Sequence, residues 1–370
     1  MPGYEPLGPT VRRTSREPGA RVSGAPAVLV TGDQGRIALT TVRSLGAAGY
    51  DAVLTVSEGR SLAAASRYCV RTVRVPHVSS TGYAEAVRDE LEKHPYLTCL
   101  PVSDSALLKL GRPVDDLLDK RELMLRGQSA GLVSPPSRAF DSGEQLAQSA
   151  GALHYPVVVK PVNKDRRAFR LESADRIERA ALPHGPVLVQ PFIEEPIRTV
   201  GGVIWKGRLV AAVHQRWLRT WPPDCGQACA VVTTEHNSER EERIVALLDG
   251  YEGVFNAQFL GPYLMDVHPR AYGLQTLALA AGVNLVGIWC DLISGKRVAE
   301  VRAPAGVFYR WLAGDLRHMR WALRERRQSL RSLASGYRPH RKTAHGTESL
   351  RDPGPTVARV RFHIDRARST

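Results

Sequence analysis

Regular hydrophobic patterning begins at Ala27. The run Ala27-Val-Leu-Val-Thr31 is short and fully apolar, the signature of a strand covered on both faces, and it ends in a Gly32-x-x-Gly35 turn. Ile37, Leu39, Val42 and Leu45 then approximate a helical stripe that Gly49 closes. Strand-like runs recur at residues 51–56, 72–75 and 97–102, with helical patterns between them. Strands alternating with helices at this spacing predict a small parallel sheet over residues 27–113. The preceding residues 1–26 are rich in Pro, Gly and Arg, have no hydrophobic period, and read as a disordered leader.

A second unit starts near Asp115. Residues 117–130 form an amphipathic helical pattern that Gly131 and the Pro135-Pro136 pair terminate. Two strands follow, Tyr155-Pro-Val-Val-Val-Lys160 and Val187-Leu-Val-Gln-Pro-Phe192, with a helical stretch over 173–181 between them. From Ile197 the pattern turns antiparallel: 197–205 and 208–215 join through Lys206-Gly207, and 253–260 and 264–268 join through Gly261-Pro262-Tyr263. Helices are expected over 274–281 and 286–294. After about Arg324 the period fades, so residues 325–370 read as a basic, disordered tail.

Composition narrows the class. The chain has 370 residues, 43% hydrophobic and 24% charged, which suits a soluble protein of two or three domains. No apolar run approaches the roughly 20 residues that cross a bilayer. Five irregularly spaced cysteines make no disulfide framework, and a reducing cytoplasm is expected. The net charge of +14 looks like a nucleic-acid signal until it is located. Residues 1–26 carry +2 and residues 313–370 carry +9, leaving +3 for residues 27–312. The basicity therefore belongs to the tails, and nucleic acid is an unlikely partner except through them.

Three features carry candidate chemistry. In the second hairpin a three-residue turn at 261–263 sets Leu260 opposite Leu264 and Gln258 opposite Asp266, with His268 on the same side of the sheet. A bulge would shift that register by one. Such a face, followed at once by Arg270, suits Mg²⁺ held with ATP phosphates; an ordinary surface hairpin is the other reading. Lys160 ends a Val-Val-Val strand and Lys120 opens a helix, places where an ammonium group is expensive unless it meets an anion such as phosphate. Taken singly, each is more simply a solvated lysine. The run Val187-Leu-Val-Gln-Pro-Phe-Ile193 passes from an apolar strand into a polar–Pro–aromatic linker, as a hinge over an adenine would or as any buried strand entering a loop would.

The order of these pieces resembles the ATP-grasp superfamily, in particular its carbamoyl-phosphate-synthase-like, carboligase branch. The resemblance covers about residues 27–315. It runs through Asp119-Lys120, Ala130-Gly-Leu-Val-Ser-Pro-Pro136, Tyr155-Pro-Val-Val-Val-Lys-Pro161 and Val187-Leu-Val-Gln-Pro-Phe-Ile193. It continues through Arg216 with Trp221-Pro-Pro-Asp-Cys-Gly226, Phe255-Asn-Ala-Gln-Phe259, Leu264-Met-Asp-Val-His-Pro-Arg270, Ala280-Ala-Gly-Val-Asn284 and Tyr309-Arg-Trp-Leu-Ala-Gly-Asp315. The fold this implies is α/β and α+β: a Rossmann-like pre-ATP-grasp domain (27–113), then a two-lobed ATP-grasp module (114–324) with its small lobe at about 114–190 and its large lobe at about 191–324. The implied activity is an ATP-dependent ligase that converts a carboxylate to an acyl-phosphate for attack by an amine or thiol. Its implied cofactors are ATP and Mg²⁺ or Mn²⁺, its partners a small carboxylate and a small amine, with no membrane. By the same resemblance Lys120 and Lys160 touch ATP phosphates, and Gln190, Pro191, Phe192 and Ile193 form the adenine hinge. Gln258, Asp266 and His268 fall at the metal-ligand positions, while Arg270 steadies the transferred phosphoryl group and Arg216 assists.

The sequence departs from that pattern at three places. Gln258 stands where the family has a carboxylate, and His268 where it has Asn. The segment Val162-Asn-Lys-Asp-Arg-Arg-Ala-Phe169 lacks the glycines whose amides close over phosphates, although Arg166 or Arg167 offers charge there. A nucleotide-binding relative without ligase turnover is therefore one alternative. A second is an NAD(P)-dependent oxidoreductase, with Val28-Leu-Val-Thr-Gly32 opening the site and Glu58 as the ribose acid; it lacks the full G-x-G-x-x-G run. Cys225 and Cys229 have no second pair and make no zinc site.

Overall fold

The structure is a computed structural model that describes residues 24–32, 35–57, 61–162, 168–177, 182–223, 225–325, 340 and 343–368. The first domain contains β1 (Ala27–Thr31), α1 (Gly35–Ala47), β2 (Asp51–Val56), β3 (Cys69–Arg74), α2 (Tyr83–Lys93), β4 (Thr98–Pro101) and α3 (Asp104–Lys109). Its four strands are parallel, in the order β3-β2-β1-β4. The apolar run of β1 is explained by cover on both faces: Val28 and Val30 pack with Leu39, Val42 and Leu45 of α1, while Leu29 packs with Tyr83, Val87 and Ala106 on the other side. Gly32 leaves the strand at φ +82°, and a Cβ there would lie 3.0 Å from both Ala106 Cβ and Ser103 Oγ. Only glycine turns the chain this close to α3.

Helices α4 (Asp115–Leu118) and α5 (Lys120–Ser129) replace the single helix expected over 117–130. The break is Asp119, whose backbone is extended and whose Oδ1 accepts from the amides of Arg121 (2.7 Å) and Glu122 (3.2 Å). This N-cap restarts the helix with Lys120 as its first residue. The small lobe follows, an antiparallel sheet β5-β8-β6-β7 formed by β5 (Arg138–Phe140), β6 (Val157–Pro161), β7 (Phe169–Leu171) and β8 (Val187–Pro191), with α6 (Gly143–Gln148) against it. Of the helix expected over 173–181, the described residues hold one 3₁₀ turn, Ala174–Arg176; residues 178–181 lie outside them.

The large sheet has the order β13-β12-β9-β10-β11-β15-β16, with β14 beside β10. It comprises β9 (Ile197–Trp205), β10 (Arg208–Trp221), β11 (Gln227–Thr233), β12 (Gly253–Leu260), β13 (Tyr263–His268), β14 (Val301–Arg302), β15 (Phe308–Arg310) and β16 (Thr343–His345). One face packs Val203, Ala211, Val213 and Val254 against α8 (Gln275–Ala280), α9 (Leu285–Ile293) and α1 of the first domain. The other packs Val200, Ala257 and Phe259 against α7 (Ser238–Leu247) and α5. Tyr272 reaches into the first face: a Cβ on Gly201 would sit 1.8 Å from its hydroxyl, so the close approach depends on that glycine. Helix α10 (Leu312–Arg324) is fixed by the fully buried Asp315, which accepts from Arg219 (2.6 Å) and Arg310 (2.9 Å).

The expectation of a disordered tail after residue 324 does not hold for residues 343–368. Strand β16 pairs in parallel with β15, and α11 (Gly354–Arg368) follows. The reason is a polar anchor that hydrophobic patterning does not register. Asp352, 1% exposed, accepts from Arg43 Nε (2.8 Å), Ser66 Oγ (2.8 Å) and the amide of Arg67 (2.9 Å), and Arg43 also donates to the carbonyl of Thr347 (2.9 Å). Residues 1–23 and 326–339 lie outside the described residues. No described helix is long and apolar enough to cross a membrane.

Burial alone would raise the Asp352 carboxyl, but the Arg43 guanidinium, the Arg67 amide and the Ser66 hydroxyl outweigh it and hold it below its ordinary value. Its stabilising contribution is therefore present above the unfolded-state pKa of about 4 and fades as pH falls below it. Asp352→Ala is expected to cost about 3 kcal/mol in urea unfolding at pH 7, as does breaking other buried ion pairs. The difference from wild type should shrink in acid, and removal of residues 347–370 should destabilise to a similar degree rather than be silent.

Candidate nucleotide and metal site

The edge ribbon β12–β13 sets the first part of the site. Gln258 pairs with Asp266 and Asn256 with His268, so the four side chains share one face of the sheet. The turn itself differs from expectation. Leu260 pairs with Tyr263 rather than Leu264, which leaves Gly261-Pro262 as the turn. An irregularity between Gln258 and Phe259 then places Met265 as the extra residue and restores the Gln258–Asp266 pairing. Thr199 and Gln215 extend the same row across β9 and β10, joined by a 3.0 Å hydrogen bond. Gln258 Nε2 donates to Asn256 Oδ1 at 3.4 Å.

Two ammonium groups meet this ribbon. Lys120, presented by the Asp119 cap, puts Nζ 3.4 Å from Asp266 Oδ2, and both side chains are largely buried, at 12% and 17% exposure. Lys160 lies in β6, paired with Leu188 of β8. Burial and, second to it, the charge of Lys120 bring its ammonium down to about 8, while Asp266 and Cys225 act in the opposite sense. The three groups are thus electrostatic neighbours. Lys120, Met124, Ser134, Pro135, Lys160 and Gln190 line a narrow cleft between the small-lobe sheet and β13. The hydroxyl of Ser134 is buried there with no hydrogen-bond partner among the described residues.

Residues 190–193, the expected hinge, are held by their own contacts. Gln190 is 7% exposed and its Nε2 donates to Ser137 Oγ (2.8 Å), so its side chain serves the sheet while its backbone pairs with Val158. The amide of Phe192 donates to the carbonyl of Pro156 (2.9 Å). The Phe192 ring lies under the Arg170 guanidinium at 3.8 Å. Pro191 is exposed and Ile193 half-buried, at the edge of the small lobe.

The two arginines fare differently. Arg270 follows the ribbon, is almost fully buried, and donates from Nε to Asp104 Oδ1 (2.6 Å) and from Nη1 to the carbonyl of Ala271 (2.9 Å). Asp104 Oδ2 also lies 3.8 Å from His268 Nδ1, so the first residue of α3 ties the ribbon to the first domain. Arg216, in contrast, pairs with Arg198 one residue from the Thr199–Gln215 row. Strand alternation puts it on the opposite face from Asp266, with His214 and its partner Glu241 of α7. The structure thus brings together Lys120, Lys160, Asp266 and Gln258, places His268 and Arg270 beside them at the first domain, and separates Arg216. The segment 163–167 and Glu58 lie outside the described residues.

Sequence reasoning missed Asp104, Ser134 and Arg170. Ser103-Asp104 does carry a capping signal, since Ser103 Oγ accepts from the amide of Ala106 at 3.1 Å, and it directly follows a strand end. Ser134 lay inside a quoted motif without a role. Nothing local marks Arg170, whose ring contact is made across the sheet. For a metal, the donor set is one carboxylate (Asp266), one amide (Gln258) and one imidazole (His268). The described residues contain no cluster of three His, Cys, Asp or Glu able to hold an ion alone. The set fits a divalent ion that arrives on phosphates, for which one protein carboxylate suffices.

No family model matches the chain. Among curated proteins it is similar to the carbamoyl phosphate synthase large chains of Pseudomonas putida (23% identical over 209 residues, 51% of this chain and 20% of that one) and Xanthomonas campestris (24% over 213 residues, 50% and 20%). The chain spans about a fifth of the length of these relatives. Among solved structures it is similar to biotin carboxylase from Campylobacter jejuni (TM-score 0.57, 15% identical, covering 76% of this chain and 74% of that one). It is also similar to N5-carboxyaminoimidazole synthetase from Staphylococcus aureus complexed with ADP (0.58, 11%, 76% and 80%) and to the L-amino acid ligase of Bacillus licheniformis (0.54, 14%, 72% and 74%). These likenesses, with the three sheets and their order, establish the architecture: the chain has the ATP-grasp fold of the carboligase-like enzymes.

Proposed function

We propose that the chain binds ATP with Mg²⁺ or Mn²⁺ in the cleft between the small lobe and the β12–β13 ribbon, and uses it to activate a carboxylate for attack by an amine or thiol. The observation that carries this reading is the convergence of Lys120 and Lys160, from two elements, on one cleft, with Asp266 of a third element 3.4 Å from Lys120. Among the described residues, two cations against one carboxylate leave a surplus of positive charge beside a buried hydroxyl with no partner, which a phosphate chain would neutralise and bond. Two of the similar structures were solved with an adenine nucleotide or its analogue.

In this reading Lys120 and Lys160 neutralise phosphate oxygens, and the hinge 190–193 borders the base. Asp266, with the Gln258 amide opposite, would hold the ion, which supplies charge neutralisation on the phosphates when bound. Arg270, fixed by Asp104, lies beyond the ribbon on the first-domain side, where the carboxylate and its attacker would meet. Such chemistry needs position and charge rather than a side-chain nucleophile. Arg216 belongs to the opposite face and has no part in this arrangement.

One observation favours a second reading, a nucleotide-binding protein without turnover. The neutral Gln258 faces the single carboxylate, which Lys120 already contacts. Release of phosphate or ADP that some carboxylate stimulates and Lys160→Ala abolishes would exclude it. Introducing the missing charge by Gln258→Glu is expected to strengthen Mg²⁺-dependent nucleotide binding by about tenfold if the ion sits there.

Titration calorimetry with ADP or ATP and Mg²⁺ tests the binding itself. Lys120→Ala and Lys160→Ala are each expected to weaken it at least tenfold, the range of a charge-assisted contact. No binding at millimolar nucleotide would sink the reading.

The depressed Lys160 adds a pH signature. Below about 8 the ammonium is charged; above it the free site holds a neutral amine, and phosphate binding must take up a proton. Affinity should therefore fall by up to about tenfold per pH unit above 8. The Lys160→Arg protein, always charged, should show no such fall.

A further inference from the structure

A second and larger cleft opens away from the nucleotide site. It has a volume of about 80 Å³, is partly open to solvent, and shares no lining residue with the cleft at Lys120 and Lys160. Its walls come from β4, the chain leading into α4, the start of β12, and α9, so it sits where the first domain meets the large lobe. Leu100, Leu107, Val114, Val286 and Trp289 make it mainly apolar. Its polar groups are few. Arg112 holds its guanidinium to the wall by donating from Nη2 to the carbonyl of Cys99 (3.2 Å), and Arg270 enters from the ribbon side. The one carboxylate, Glu252, already accepts from the amide of Lys206 (3.0 Å).

From these features we infer that the cleft is a second ligand site, for a small monocarboxylate with an apolar body. The apolar walls would cover the body and exclude water, and a guanidinium suits a carboxylate head because its forked donors match the two oxygens. The site is coupled to the ribbon through Pro269 and Arg270, which line it and directly follow His268. Occupancy would thereby fix the same Arg270–Asp104 contact that borders the proposed reaction site. The inference rests on the cleft and its groups and does not require that a nucleotide bind elsewhere.

Phenylacetate, phenylacetamide and phenethylamine serve as probes, with binding followed by calorimetry and ligand-observed NMR on the full chain. Phenylacetate is expected to bind, and the neutral amide and the amine at least tenfold more weakly. Arg112→Gln should weaken phenylacetate about tenfold or more. Val114→Phe, which narrows the cleft, should weaken all three, with cooperative thermal unfolding showing that each variant is folded. Absence of phenylacetate binding at millimolar concentration, equal or tighter binding of phenethylamine, or indifference of phenylacetate to both folded variants would each overturn the inference. Titration of ADP with Mg²⁺ on the same samples separates this result from the nucleotide reading, because either ligand can fail alone.

Discussion

The sharing of one carboxylate by two ammonium groups is the constraint on which the site depends. Asp266 holds Lys120 at 3.4 Å, and Lys160 lies close enough to feel both charges. Charges about 4 Å apart interact by roughly 4 kcal/mol at a dielectric of about 20, so the attraction that Asp266 offers one lysine is offset by repulsion from the other. Burial adds to the imbalance. Bringing Lys160 from 10.5 to about 8 corresponds to roughly 3 kcal/mol of destabilised charge. A half-buried cleft wall would not retain such a group without return. On the proposed reading an anion would relieve the arrangement, and phosphate would offer oxygens to the two lysines and the buried Ser134 hydroxyl.

Holding three elements in that relation is the work of the rest of the fold. The Asp119 cap determines where α5 begins and hence where Lys120 points. The antiparallel pairing of β6 with β8 determines that Lys160 and Gln190 lie on neighbouring strands. The bulge at Met265 determines that Asp266 shares a face with Gln258. The first domain closes the other end, where Asp104 from α3 grips Arg270 and approaches His268. The segment after β16 returns to that same domain and locks on Arg43 through Asp352. The first domain is thus part of the frame around the ribbon and not an appendage to it.

What the sequence made legible was largely local or periodic. The parallel sheet of the first domain and the antiparallel pairs of the large sheet follow from apolar runs and turns, and the family-like order of motifs located both lysines. The hairpin shows the limit of such reasoning. The turn was expected to hold three residues and holds two, yet the bulge restored the pairing of Gln258 with Asp266. A count of residues along one strand cannot distinguish these geometries, because they differ only in the partner strand. Arg216 shows the same limit at longer range: its face is set by pairing with Arg198, a parity invisible until β9 and β10 are aligned. The order of residues 343–368 was hidden for another reason, since its anchor is one aspartate meeting an arginine more than 300 positions away.

The departures from the family pattern gain a physical sense from this geometry. Gln258 removes a negative charge from a ribbon whose remaining carboxylate must serve both a lysine and any incoming ion. Its amide is instead part of a hydrogen-bonded pair with Asn256, a residue buried to 2% exposure. His268, on the same face, sits between Asn256 and the Asp104 carboxylate, so an imidazole there can strengthen the link to the first domain when protonated. On the proposed reading both residues would weaken the ribbon's hold on a metal, while Gln258 bonds to Asn256 and His268 approaches Asp104. A nucleotide bound here would owe more of its affinity to Lys120 and Lys160, and less to its ion, than one held by a ribbon of two carboxylates.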